Sequence, residues 1–586
     1  MRPKLRGRIA DVLAVTAGVL VVGYYMQHRP PKVEPPKFAG EVDLTPLSKV
    51  AVRRDGRDRS FDSHAKTFLK IVSGPHAING QTPAFSYLDL MLNPAKYTDQ
   101  DIIHVKNKLV RCKVSDALTK AGADVAPDRL KRFLKTGLIS PRLLQHPAVQ
   151  AVRDELSKDL IKTAKSADAI DSALNVAEPA TLAHVLNVVA PPEGDMLTPW
   201  LPATTIWSLA DPQSAARAGL RDPAGLASQL NLDPKLTQAL RDAWADLSTG
   251  WRAEDAAKVN QAIATLAATL PTIEPKLYPD LKRLGWESTY FRFHGFTWVW
   301  TFYLLAVVFL LIAVVYRFSW ARPVGLGIFV VAFVAQTASV GLRWYVSGRW
   351  PNANMFEAVT TAAWFGGLIA LVFEVFVRKT PLRNIFALAS AVASMTALMA
   401  GAFVPELEPT IGNKMAALND IWIYIHTNVI IASYCLIFMA AVSALGYLRY
   451  RLGGGSAEVS RSGGAGTLVM NSVGGKFLID DSKPNWGVVL DAVTMVLMEL
   501  SFVLLWAGLV MGAIWADHSW GRPWGWDPKE NFALCTFILF LLLVHVRIKV
   551  KDKGLWTAVL AVAGCGVMLF NWIVINFIVS GLHSYA

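Results

Sequence analysis

The stretch Trp298-Val-Trp-Thr-Phe-Tyr-Leu-Leu-Ala-Val-Val-Phe-Leu-Leu-Ile-Ala-Val-Val-Tyr316 carries no formally charged residue from end to end. Wound as a helix it would run about 28 Å, close to the hydrocarbon thickness of a bilayer. Similar runs follow near residues 324 to 342, 357 to 377, 385 to 403, 427 to 447, 488 to 515, 532 to 547 and 555 to 579, and one precedes it near residues 9 to 26. The fold class this predicts is all-α: a polytopic membrane helix bundle of about nine transmembrane helices. Composition points the same way, because 53% hydrophobic against 18% charged residues excludes an ordinary soluble enzyme of 586 residues. The first run follows Met1-Arg-Pro-Lys-Leu-Arg-Gly-Arg8 and lacks a small-x-small cleavage site before Gln27. Residues 1–26 therefore read as an uncleaved N-terminal membrane anchor.

Charge then orients the chain. Threading the nine runs alternately from a cytoplasmic start leaves eighteen Lys and Arg in the inner loops and five in the short outer ones, the asymmetry of the positive-inside rule. The net charge of +13 is thus a consequence of topology, and nucleic acid is excluded as a partner. On this threading residues 27–296 form an extracytoplasmic domain, and residues 297–586 a membrane domain with eight transmembrane helices. The outer domain opens on a stiff proline linker, Pro30 to Pro36. Apolar residues recur at helical spacing over Asp99 to Thr119, Ala148 to Ala164 and Thr237 to Leu270, and alternating strand patterns are scarce, so this domain is expected to be helical. Its His64, His76, His104, His146 and His184 have no ligand spacing and read as scattered surface or core histidines. The Gly/Ser-rich insert from Gly453 to Gly475 reads as a flexible cytoplasmic connector. Only four Cys occur, with no Cys-x-x-Cys pair, which excludes a disulfide scaffold, a thiol-redox motif and a thiolate zinc site.

The chemistry gathers at the outer ends of the late runs. In Trp520-Gly-Arg-Pro-Trp524-Gly-Trp526-Asp527-Pro-Lys-Glu530, the prolines and glycines break a helix and present three indoles on an irregular outer loop. An interfacial aromatic belt would scatter its tryptophans and needs no Asp527, Lys529 and Glu530 beside them, so a binding platform for a flat ligand is the better reading. His426 and His583 are placed by the threading on the same face. Together they could supply paired axial imidazoles to a haem iron beneath the indoles, with His518 as competitor for either position. His545 lies near the inner end of its run, where an ionisable group is costly and usually functional. Gln336 and Glu499 are expected to be satisfied by neighbouring helices. Asn354 and Glu357 suit the N-cap and first turn of a helix.

The tryptophan-rich element, Gly581-Leu-His583-Ser-Tyr585, Leu543-Val-His545-Val-Arg547 and Asn354-x-x-Glu357 together resemble the CcsA family of cytochrome c biogenesis proteins of the system II pathway, over residues 298–586. The resemblance implies a subunit of a cytochrome c synthase (a haem lyase) in a bacterial inner membrane. Such a subunit binds haem b non-covalently as its transported substrate. It moves haem from the inner to the periplasmic side and presents it for thioether attachment to an apocytochrome c carrying Cys-x-x-Cys-His. Carried over by position, His426 and His583 would be the outer axial ligands, His545 one of an inner pair, and Trp520, Trp524, Trp526 and Asp527 the porphyrin platform on which the chemistry occurs. The second inner histidine would come from a CcsB/ResB-like membrane subunit. Arg522 or Lys529 could pair with a haem propionate. The alternative is a haem exporter or carrier without ligation activity. A further rival is a transporter whose indoles hold a sugar or a lipid. The segment Gly56-Arg-x-x-Ser-Phe-Asp-x-x-Ala-Lys66 is loosely similar to extensions that precede some members.

Overall fold

The computed structural model describes residues 33–575 apart from 160–162, 196, 230–231, 317, 379–381, 405–406, 408, 413–419 and 458–484. The expected anchor over residues 9 to 26, most of the Gly/Ser-rich insert and His583 lie outside the described residues. Contacts divide the chain into two compact units, one over Pro30–Arg292 and one that takes in Phe293–Ala586.

The first unit is mainly helical, with three small two-stranded antiparallel ladders: β1 (Ala51–Arg54) with β2 (Arg57–Ser60), β3 (Ile103–His104) with β4 (Leu138–Ile139), and β5 (Asn187–Val189) with β6 (Leu201–Pro202). The domain is helical as expected, and the first ladder is a strand pair that the apolar pattern did not signal. Asp55 and Gly56 both take positive φ, 52° and 72°, and such an Asp-Gly pair closes a two-residue hairpin in the sense that matches strand twist. Ser60 then caps α1 (Phe61–Ser73) by accepting from the Ser63 amide. The run expected over Thr237 to Leu270 is two helices, α3 (Pro234–Arg252) and α4 (Ala256–Ile273), because Glu254 is left-handed (φ 53°) and Asp255 caps the second. The helix α2 (Pro83–Leu92) precedes them and α5 (Leu281–Arg292) closes the unit. Residues Val33 to Pro35 are not a free linker: they lie so close to Gly80 that a Cβ there would strike the Val33 carbonyl.

His64 is fully buried and shares a 3.2 Å hydrogen bond with the Tyr87 hydroxyl. Burial, and after it Arg59 and Arg54, hold its pKa well below the usual imidazole value. His76 and His104 face each other at 5.1 Å between ring centroids, and burial presses His104 down to about 4.

In the second unit, eight helices among the described residues are long and apolar enough to cross a membrane. They are α6 (Trp300–Val315), entered through a 3-10 segment, α7 (Ala321–Ser347), α8 (Met355–Val377), α9 (Ile385–Phe403), α10 (Ile421–Leu452), α11 (Trp486–Trp520), α12 (Pro528–Lys549) and α13 (Lys553–Leu569). A π-helical turn, Phe570–Ile575, prolongs α13. The expected polytopic helical bundle is present. Several helices outrun their apolar windows because polar caps add turns outside them: Asp420, Asn485, Asp527 and Asp552 each accept from an amide of the first turn that follows.

Small residues let the central pair close. A Cβ on Gly508 of α11 would overlap Ile430 of α10, and one on Gly366 of α8 would overlap Cys435. In an apolar solvent such close approach is a main source of helix association. Gln336 is satisfied by neighbouring helices, as expected: its carbonyl accepts from Tyr303 at 2.6 Å and its amide donates to the Thr360 carbonyl at 3.0 Å. At the Arg451 end of α10, two ion pairs tie the helices together. Arg547 of α12 holds the buried Asp491 of α11 at 2.6 Å, and Arg451 holds Asp552 at 2.5 Å.

Candidate functional site

The site is built at the other end of α10 to α13. The first turn of α10 is fixed by Asp420, and His426 follows on the face turned to α11. There its ring lies against Gly512, where a Cβ would come within 2.7 Å of Cε1. Its Nδ1 is 2.7 Å from the Gly508 carbonyl, which can only accept, so Nδ1 carries a proton, and in the neutral ring Nε2 then carries the lone pair. A backbone carbonyl behind one ring nitrogen is the arrangement that orients metal-binding imidazoles.

The loop from α7 to α8 closes a second wall. Glu357, fully buried, accepts from Arg343 at 2.9 Å, from Arg349 at 2.8 Å and from the Ala353 amide at 2.6 Å. Asn354 caps α8 by accepting from the Glu357 amide at 2.9 Å, as expected, and its own amide reaches the Thr410 carbonyl. The loop is pinned beside His426, where Trp350 donates to Asn428 at 2.7 Å and Asn352 to Thr427 at 2.9 Å. Trp344, Trp350, Trp364 and Phe365 form one ring cluster here, with neighbouring centroids 5.1 to 5.8 Å apart.

The tryptophan-rich element only partly matches its expected form. Trp520 is the last residue of α11 and not part of a loop. It packs edge-to-face on the buried Trp515 at 4.8 Å. Gly521, left-handed at φ 68°, ends the helix. Asp527 and Glu530 make a capping box on α12: Glu530 accepts from the Gly525 and Asp527 amides at 2.8 and 3.1 Å, and Asp527 accepts from Lys529 at 3.2 Å. Asp527 thus has a complete structural task. Trp526 is 71% exposed, with positive φ, and Arg522 is exposed as well.

These walls enclose a cavity of about 280 Å³. His426, Trp524, Lys529 and Glu530 line it, with Ile430, Leu509 and Trp572 among the apolar groups. Trp520, Trp526, Asp527 and Arg522 do not line it. His518 stands apart too, half exposed and 3.7 Å from Asp420. Sequence reading missed Asn352, Tyr434 and Asn571, which the fold brings to the same cavity. His545 lies on α12 near the end opposite the cavity, about 25 Å along the helix from Pro528. It is exposed on the helix surface, with Nδ1 bonded to the Leu541 carbonyl at 2.8 Å. Among the described residues no group of three or more His, Cys, Asp or Glu could hold a bare metal ion.

The family model for the Cytochrome C assembly protein matches residues 352–583. A cytochrome c biogenesis protein CcsA from Pyropia yezoensis is 30% identical over 269 residues, which cover 43% of this chain and 83% of the relative. The chain belongs to the CcsA family. Another CcsA, from Prochlorococcus marinus subsp. pastoris, is 32% identical over 244 residues, covering 42% of this chain and 77% of its own length. One from Parasynechococcus marenigrum is 28% identical over 267 residues, covering 44% and 84%. Every residue that lines the cavity falls inside the match to the Cytochrome C assembly protein model, and the whole Pro30–Arg292 unit falls before it.

Proposed function

We propose that this CcsA-family chain receives haem b in the membrane, carries it to the periplasmic side of a bacterial inner membrane, and presents it for thioether attachment to the Cys-x-x-Cys-His segment of an apocytochrome c, as a subunit of a cytochrome c synthase. The observation that carries this reading is His426: its Nδ1 is committed to the Gly508 carbonyl and its ring stands in the wall of a largely apolar cavity. A flat apolar ligand with a metal at its centre suits such a wall, since one neutral imidazole and an indole face are what a haem needs from its protein. His426 and His583 are the axial ligands in this reading. Trp524 is the indole that touches the porphyrin, and Lys529 is better placed than the exposed Arg522 to meet a propionate. Trp520 and Asp527 support the site by fixing the end of α11 and the start of α12, and Trp526 offers its exposed ring to an incoming protein.

The opposite end of the path is assigned to His545. An imidazole on the outside of a membrane-spanning helix is costly unless another chain covers it, which supports a ligand pair completed by a CcsB/ResB-like subunit. The protein's part in the reaction is orientation: fixing the porphyrin plane leaves its vinyl edges where substrate thiols can reach them.

The test is the full chain, purified with its partner subunit from haem-replete cells. A Soret band is expected in the wild type. In His426→Gly, haem retention and covalent haem on a co-expressed apocytochrome should both vanish, and added imidazole should restore part of each. Unchanged haem attachment in His426→Gly would sink the ligand assignment. A wild-type protein with a Soret band but no covalent product would instead favour a carrier.

A further inference from the structure

We propose that the cavity also binds a peptide main chain, with the carbonyl oxygens of Asn352 and Asn571 accepting backbone N–H groups and the Trp524 indole donating to a backbone carbonyl. This rests on the haem-attachment reading above and specifies how its second substrate is held. Three residues of the cavity wall each carry a buried side-chain polar atom without a hydrogen-bond partner among the described residues: Asn352 Oδ1, Asn571 Oδ1 and Trp524 Nε1. A buried donor or acceptor left unpaired forfeits its hydration with nothing in return. Three such atoms on one cavity point to a ligand that answers them.

The amide orientations follow from the surrounding bonds. Thr427 Oγ1 donates to the Ile423 carbonyl at 2.7 Å, so toward Asn352 it accepts, and the Asn352 nitrogen must face it at 2.9 Å. The Asn571 nitrogen meets the Tyr434 hydroxyl at 3.1 Å and, more loosely, the Lys529 carbonyl at 3.5 Å, which can only accept. In both residues an acceptor oxygen is therefore left over. Asn571 is itself 5% exposed and sits on the π-helical turn that prolongs α13, a distortion that recurs at functional sites.

The polarity of the set selects the ligand. An iron porphyrin at neutral pH offers carboxylates, which accept hydrogen bonds, and no N–H or O–H group to give to two amide oxygens. An extended peptide offers N–H and C=O in alternation. The segment that must come beside the porphyrin is the one bearing the substrate thiols, so the matching occupant is the main chain of the Cys-x-x-Cys-His segment.

The experiment uses the purified full chain and a short fluorescein-labelled peptide with Ser-x-x-Ser-His in place of Cys-x-x-Cys-His, so that no bond to haem can form. Anisotropy titration should show binding to the wild type and about tenfold weaker binding to Asn571→Leu. Asn571→Asp keeps acceptor oxygens and should lose less. Methylating the peptide's backbone nitrogens should weaken binding to the wild type more than binding to Asn571→Leu, which keeps only the Asn352 acceptor. That arm needs no variant to fold. Equal affinity for plain and methylated peptides, or no binding by the wild type, would overturn the peptide site. With Soret bands intact in the same samples, either outcome leaves the haem reading standing, whereas a wild type without a Soret band removes both.

Discussion

The two ends of the α10 to α13 bundle handle polarity in opposite ways. At the Arg451 end, charges are matched in pairs: Arg547 covers the buried Asp491 and also reaches Thr557, while Arg451 covers Asp552. At the His426 end, three residues around a cavity carry buried polar atoms that the described part of the chain leaves unanswered, beside an imidazole tethered through Nδ1. The charges of one end are answered by its own residues, whereas the other end gathers unanswered polar atoms on the residues around a cavity. A matched pair in low dielectric holds helices together, whereas an unmatched group is tolerated where a ligand repays it.

Substitutions that act on one end and spare the other test this contrast. The largest effect is expected from Arg547→Leu, which strands Asp491 in the bundle and should cost about 3–5 kcal/mol of stability. Thermal unfolding in detergent should show a lower midpoint. A midpoint equal to wild type would mean that the pair does not hold that end. Gly512→Ala is predicted to do the reverse: a Cβ 2.7 Å from the His426 ring must displace the imidazole, so haem retention read from the Soret band should fall about tenfold with little change in the midpoint. Retention at the wild-type level would show that the ring's position is immaterial. The smallest effect belongs to Asp527→Ala. Losing the cap of α12 should cost about 1 kcal/mol and weaken haem retention only in proportion. Complete loss of retention with an unshifted midpoint would return Asp527 to a direct role.

How far the sequence could be read depended on the range of the interaction. The membrane helices were legible because a charge-free run of this length has few alternatives in water or lipid. Their ends were less so, since Asp420 and Asp527 add turns that hydropathy does not count. The Asp55-Gly56 hairpin was present in the sequence as a strong local signal, but the charged residues Arg53, Arg54, Arg57, Asp58 and Arg59 hid its strands. Trp524 was found because prolines and glycines break the helix around a cluster of indoles and charged residues, and His426 because the threading put it on the same face. Tyr434 and Asn571 were not, since each sits within an apolar run and only the packing of α10 against the end of α13 brings them together. Trp520 was misplaced because Gly521, not the tryptophan, ends α11.

The setting of His426 has a mechanical consequence. The ring is keyed between two glycines of α11 and tethered through one nitrogen, so it works as a fixed anvil and not as a swinging arm. On the proposed haem reading, the porphyrin must therefore come to a stationary ring, and its departure would begin with a weakened bond to that ring.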